Sequence, residues 1–313
     1  MQESMTGVYR WIGFGICLIA LSYFLHSALR EIPSLPPVHW DLAAHAGFVT
    51  AIILSVLVTL MGGYAWVMLL RSCGQPASAV EGLTIFALAQ LAKYIPGNVA
   101  HHAGRIALAH SKGFNLSRVI YSMILEAGWL ISAAAILAAI WLLFIEQSWS
   151  LSVRGLPTVY QLTFSMALAL TFPLSIGWIL SRWRPGPLKK ILAEAPVTLP
   201  SPVAVLGCLL VYLLCFFLMG AASEVLARAF LGATESRMFL LTGAFSVAWV
   251  AGFITPGAPA GLGVREVILL EILGPIYGDG VAAGLAFSLR AITTLADGLI
   301  FLAALVTKEK LGS

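Results

Sequence analysis

Two arginines stand at the same distance from two Pro-Gly pairs. Seven residues separate Pro96-Gly97 from Arg105, and seven separate Pro256-Gly257 from Arg265. The copies lie 160 residues apart in a chain of 313, close to half its length. Arg presents a planar fork of donors suited to bidentate contact with a phosphate. Pro and Gly break a helix, and a helix restarting just beyond the break directs unpaired N–H groups and its positive dipole end into whatever it faces. An arginine beside such an end makes an anion site. Two copies would make two sites, one per membrane side. The ordinary alternative is an arginine that reaches up to lipid headgroups; the repetition of the pattern argues for a substrate phosphate.

A second set of charges lies inside long apolar runs. Glu126 and Arg290 each sit about two turns into such a run, at positions that correspond under the repeat, and opposite charges there would pair near the midplane. Asp297 lies seven residues after Arg290, on the same helix face, and is the competing partner. A purely structural ion pair is the alternative to a gating one. Gly257, Gly261 and Gly263, in PGAPAGLG, permit close backbone approach to a ligand or to a neighbouring helix. His101 and His102 follow the first Pro-Gly pair; with no Cys/His set beside them they suit titration near neutral pH or headgroup contact rather than a metal. The four cysteines show no C-x-x-C spacing and read as small apolar residues.

The elements that must position these groups follow from composition. The chain is 60% hydrophobic and 10% charged, with a mean hydropathy of +0.94, where soluble proteins average about 25% charged. Each segment in lipid must satisfy its own backbone hydrogen bonds, so helices or closed barrels are the choices. The apolar runs are far longer than the roughly 10 residues of a barrel strand and do not alternate. The composition therefore predicts an all-α polytopic membrane protein, a single transmembrane domain over residues 1–313. Six runs reach spanning length, about 8–29, 46–70, 119–145, 160–181, 203–227 and 282–306. The first reads as a retained anchor. Two shorter apolar runs, about 83–95 and 238–255, lead into the Pro-Gly pairs and read as re-entrant hairpins.

Basic residues test that arrangement, because they collect in cytoplasmic loops. With six spans and two hairpins, one side holds Arg10, Arg71, Lys93, Arg105, Lys112, Arg118, Arg182, Arg184, Lys189, Lys190, Lys308 and Lys310. The other holds Arg30, Arg154, Arg228, Arg237 and Arg265. Both termini come out cytoplasmic. Counting the hairpins as full spans would move the basic cluster at 182–190 outside. The net charge of +4 then speaks for anionic headgroups, not nucleic acid. Each half, 8–145 and 160–306, has three spans and one hairpin, and an odd number of spans orients the halves oppositely, the inverted-repeat plan of many transporters.

The stretches LAKYIPGNVAHHAGRIALAHSKGF and FITPGAPAGLGVREVILLEILG, each followed by a span carrying Glu126 or Arg290, resemble the transmembrane (flippase) region of lysylphosphatidylglycerol synthases. The likeness covers about residues 8–306, with PG-x-x-x-GLGVRE, which includes Glu266, its more specific part. His101-His102 stand where that family more often has small or acidic residues. The resemblance implies movement of an anionic or aminoacylated phospholipid, or a related polyprenyl lipid, between leaflets of a bacterial inner membrane. It implies neither an enzyme nor a cofactor, since lysyl transfer there belongs to a separate soluble domain. The headgroup would sit in a midplane cavity between the halves, with Glu126 and Arg290 exchanging partners. A membrane partner of a lipid-modifying synthase or glycosyltransferase, and an intramembrane lipid-phosphate enzyme using His101, His102 and Arg105, are the other readings.

Overall fold

A computed structural model describes residues 41–94, 99–145, 171–173, 175, 178–179, 198–229, 231–233, 237–255 and 258–312. Every regular element among them is helical. The helices are α1 (Leu42–Ser72), α2 (Ala79–Gln90), α3 (Ala100–Ser111), α4 (Leu116–Ile145), α5 (Pro202–Ala229), α6 (Met238–Ile254), α7 (Val264–Tyr277) and α8 (Asp279–Gly312). Short 3-10 turns at Leu91–Tyr94 and Pro259–Gly261 follow α2 and precede α7.

Four of these helices are long and apolar enough to cross a membrane: Leu42–Ser72, Leu116–Trp141, Pro202–Ala229 and Asp279–Lys308. They coincide with the spans expected at 46–70, 119–145, 203–227 and 282–306. The run expected at 8–29 lies outside the described residues, and that at 160–181 does too, apart from helical residues at 171–173, 175 and 178–179. Pro96, Gly97, Pro256 and Gly257 also lie outside them. The apolar runs expected at 83–95 and 238–255 form α2 with its 3-10 turn and α6, and α6, at 17 residues, is shorter than a span.

The outer residues of the long helices are apolar. Val49, Ile53 and Leu57 on α1, Leu206, Leu210 and Leu214 on α5, and Leu295, Leu299 and Leu302 on α8 are all exposed at helical spacing. Such stripes would be costly in water and are suited to acyl chains.

Local signals end each helix. The Asp41 carboxylate accepts the Ala44 N–H at 2.8 Å and starts α1; Gly74, at φ +87°, ends it, with Gln75 N–H bonded back to Leu70. The Ser78 hydroxyl accepts Glu81 N–H to open α2, and Asn115 accepts Arg118 N–H to open α4. Ser201, followed by Pro202, opens α5.

The element order repeats. Long, short, short and long helices begin at residues 42, 79, 100 and 116, and again at 202, 238, 264 and 279. The chain forms two compact units. One contains Met1–Val58, Leu91–His101 and Phe217–Leu299, and so includes α6 and α7. The other contains Thr59–Gln90, His102–Phe216 and Ile300–Ser313, and so includes α2 and α4. Its core is Trp66, Val67 and Leu70 of α1 against Ile85 and Phe86 of α2 and Val119 and Met123 of α4. Gly82 makes that packing possible, since a Cβ there would lie 2.5 Å from the Val67 Cγ2.

Candidate functional site

The unit holding α2 and α4 buries Arg105 completely enough that only 3% of it is exposed. Its guanidinium lies between two rings, 4.8 Å from the centre of Trp66 and 4.5 Å from that of Phe86. Trp66 is fixed in turn by an Nε1–H bond of 3.1 Å to the Ser122 hydroxyl. Arg105 Nη1 donates to Glu126 Oε2, in a buried ion pair. Glu126 is therefore bonded to Arg105, where the sequence pointed to Arg290. The reason is local: Gly113 (φ +77°) and the Asn115 cap fold α4 back along α3, so a residue ten before Asn115 meets one eleven after it.

In the unit holding α6 and α7, the corresponding charges are arranged with opposite polarity. Arg290 on α8 donates from Nε to Glu266 Oε1 at 2.7 Å, and its Nη2 lies 2.5 Å from the same oxygen. Glu266 Oε2 accepts the Gly263 N–H at 2.7 Å, closing the first turn of α7. The turn at Gly278 (φ +84°) lies twelve residues after Glu266 and twelve before Arg290. The segment ahead of α7 is held in an unusual backbone. Ala260, Gly261 and Gly263 have φ of +51°, +70° and +82°, and Arg290 Nη1 donates to the Ala260 carbonyl at 3.2 Å. A left-handed alanine costs roughly 1–2 kcal/mol, and the Arg290 bond helps to hold it.

Arg265 is placed differently from Arg105. Its guanidinium lies 5.4 Å from the centre of the Trp249 ring. Trp249 itself stacks on Phe253 at 4.9 Å and 14°. The stem of Arg265 threads between two glycines: a Cβ at Gly252 would lie 2.6 Å from its Cγ, and one at Gly261 2.7 Å from its Nε and 3.0 Å from the Gly252 Cα. Among the described residues Arg265 forms no ion pair, and its Nε is buried with no hydrogen-bond partner. A recess of about 20 Å³ opens beside it, lined by Trp249, Arg265, Glu266, Arg290 and Thr293 among others.

Asp297, only 1% exposed, is held by the segment entering the first Pro-Gly pair. Lys93 Nζ lies 2.7 Å from its Oδ2, and the Tyr94 hydroxyl donates to the same atom at 2.6 Å. It therefore serves that segment, about two turns along the same helix face from Arg290. His101 and His102 lie in the first turn of α3. Burial and the charge of Arg105 hold the His102 imidazole down to about 4, well below the neutral titration its sequence position suggested. Among the described residues no three His, Cys, Asp or Glu side chains gather in a metal-binding cluster.

Arg105 and Glu126 thus come together, as do Arg290 and Glu266, while Arg265, Gly261 and Gly263 share the α7 entrance with the latter pair. Trp66, Phe86, Lys93, Tyr94, Trp249 and Gly252 belong to these clusters and were not singled out from sequence. Lys93 and Tyr94 had a signal, since only Ile95 separates them from the first Pro-Gly pair; Trp249 and Gly252, inside an apolar run, had none. Against known protein families and curated proteins, the chain matches none.

Proposed function

We propose that this chain is a lipid transporter of a bacterial inner membrane, moving an anionic or aminoacylated phospholipid, or a related polyprenyl lipid, between leaflets. The observation that carries this reading is Arg265: a guanidinium held in place by Trp249 and two glycines, inside a protein of long apolar helices, with no counter-ion among the described residues. A protein that only anchored something would have little use for such a group, because an uncompensated charge away from water is costly and marks a substrate or ion path. The likeness of the two Pro-Gly stretches to the flippase region of lysylphosphatidylglycerol synthases supports the same reading. So does the repeated order of helices, which suits two halves working as an inverted pair. In this reading there are six spans and two re-entrant hairpins, both termini are cytoplasmic, and the chain does no covalent chemistry.

Arg105 and Arg265 then have different tasks. Arg265 meets the headgroup, and Arg105, already paired with Glu126, fixes α3 to α4. Proteoliposomes containing the full chain and a fluorescent phospholipid test the proposal: dithionite-accessible lipid should increase with protein, and Arg265→Ala should abolish the increase. Equal translocation by the wild type and the variant would overturn it.

A further inference from the structure

We propose that the recess beside Arg265 is a binding site for one small monovalent anion, of the size and charge of a halide or of a single phosphate oxygen. The inference rests on the same arginine as the transport reading but concerns what occupies its site.

The charge count around the recess leaves one positive charge over. Arg265, Arg290 and Lys93 are cationic, whereas only Glu266 and Asp297 are anionic in these contacts. Both carboxylates already have partners. Glu266 is bonded to Arg290 and to the Gly263 N–H, each at 2.7 Å, and Asp297 to Lys93 and Tyr94. Arg265 carries a fork of five N–H donors, of which the buried Nε–H has no partner among the described residues. A monovalent anion neutralises the surplus; a second negative charge would meet Glu266 with no further cation to balance it.

Size narrows the ligand further. A recess of about 20 Å³ holds about one water-sized body. A single halide, or one oxygen of a larger anion approaching from outside, can occupy it. The Thr293 hydroxyl on the recess wall already donates to the Leu289 carbonyl at 2.8 Å. Guanidinium is weakly hydrated and suited to large, weakly hydrated anions. Trp249, within contact range of the same recess, reports occupancy.

Iodide quenching of tryptophan fluorescence in the detergent-solubilised full chain tests the site. Expected is a saturable component on top of the linear collisional one, absent in Arg265→Gln and in Trp249→Phe, and kept in Arg265→Lys. Loss in Arg265→Gln with an unchanged elution profile separates loss of the site from misfolding. Purely linear quenching, with equal slopes in wild type and Arg265→Gln, would overturn the proposal. Addition of dihexanoyl phosphatidylglycerol distinguishes the sources: suppression of the saturable component places a lipid phosphate oxygen in the same recess, and no suppression assigns it to a free anion. A chain that binds iodide but moves no lipid fails the transport reading alone.

Discussion

Glu266 accepts Arg290 at 2.7 Å across a turn that stands midway between them in the chain. In the other half the carboxylate lies on the long helix and the arginine on the short one. Each pair welds a short helix to the span that follows it. Removing one partner of a buried pair leaves an uncompensated charge and typically costs about 3–5 kcal/mol. Glu266→Ala and Arg290→Ala should therefore each lower the thermal midpoint in detergent strongly, and the double variant should lose less than the two single losses together. Additive losses would show that the pair is not coupled.

The pair in the first half predicts a rescue. Glu126→Gln or Arg105→Met alone should reduce yield and midpoint, while Arg105→Met with Glu126→Leu should recover most of both. An apolar pair of similar volume is often no worse than the ion pair it replaces. Lipid translocation by the recovered double variant should stay near the wild-type rate, because Arg265 is untouched; a well-folded but inactive double variant would give Arg105 and Glu126 a part in transport.

Packing in the first unit can be tested by one methyl group. Gly82→Ala places a Cβ against the Val67 Cγ2 and should destabilise by about 1–3 kcal/mol, as overpacked cores do. Val67→Ala in the same chain removes the obstructing methyl and should restore part of the loss, read as the thermal midpoint of the three variants.

Acid should loosen the α3 entrance. The folded state holds His102 down to about 4, against about 6.5 for an unperturbed histidine. The unfolded chain therefore binds the extra proton first, and stability falls as the pH drops from about 6.5 toward 4. Thermal midpoints at pH 7.5 and 5 should differ more in the wild type than in His102→Gln.

The glycines around Arg265 give a separate expectation. Gly252→Ala would put a Cβ 2.6 Å from the Arg265 Cγ, so the side chain must leave its place beside Trp249. Translocation should fall, and the midpoint with it, because the same Cβ would also lie 3.1 Å from the Gly261 Cα. A large midpoint loss with normal translocation would contradict this.

The spans were legible because length and hydropathy are properties of contiguous sequence: α1, α4, α5 and α8 fall where 46–70, 119–145, 203–227 and 282–306 predicted them. The short helices were legible too, from the Pro-Gly breaks and the arginines that follow. The partners of the charges were not. Helical periodicity says which residues share a face, as Arg290 and Asp297 do, but not which neighbouring helix that face meets. Arg105 and Glu126 lie nearly equidistant from Asn115, and Glu266 and Arg290 equidistant from Gly278, and residues equidistant from a tight helix–helix turn face one another at equal height. Arg265 could not be separated from Arg105 on sequence, because the two share their spacing and differ only in whether a carboxylate answers them.

The reversed polarity of the two ion pairs also limits how the halves can be exchanged. A protein assembled from two copies of the first half would contain two arginines, each already answered by its own Glu126, and nothing left to attract an anion. Two copies of the second would contain two unanswered arginines and twice the repulsion. An unanswered guanidinium stands at the α7 entrance because Arg290 takes the place on the long helix that Glu126 holds in the other unit.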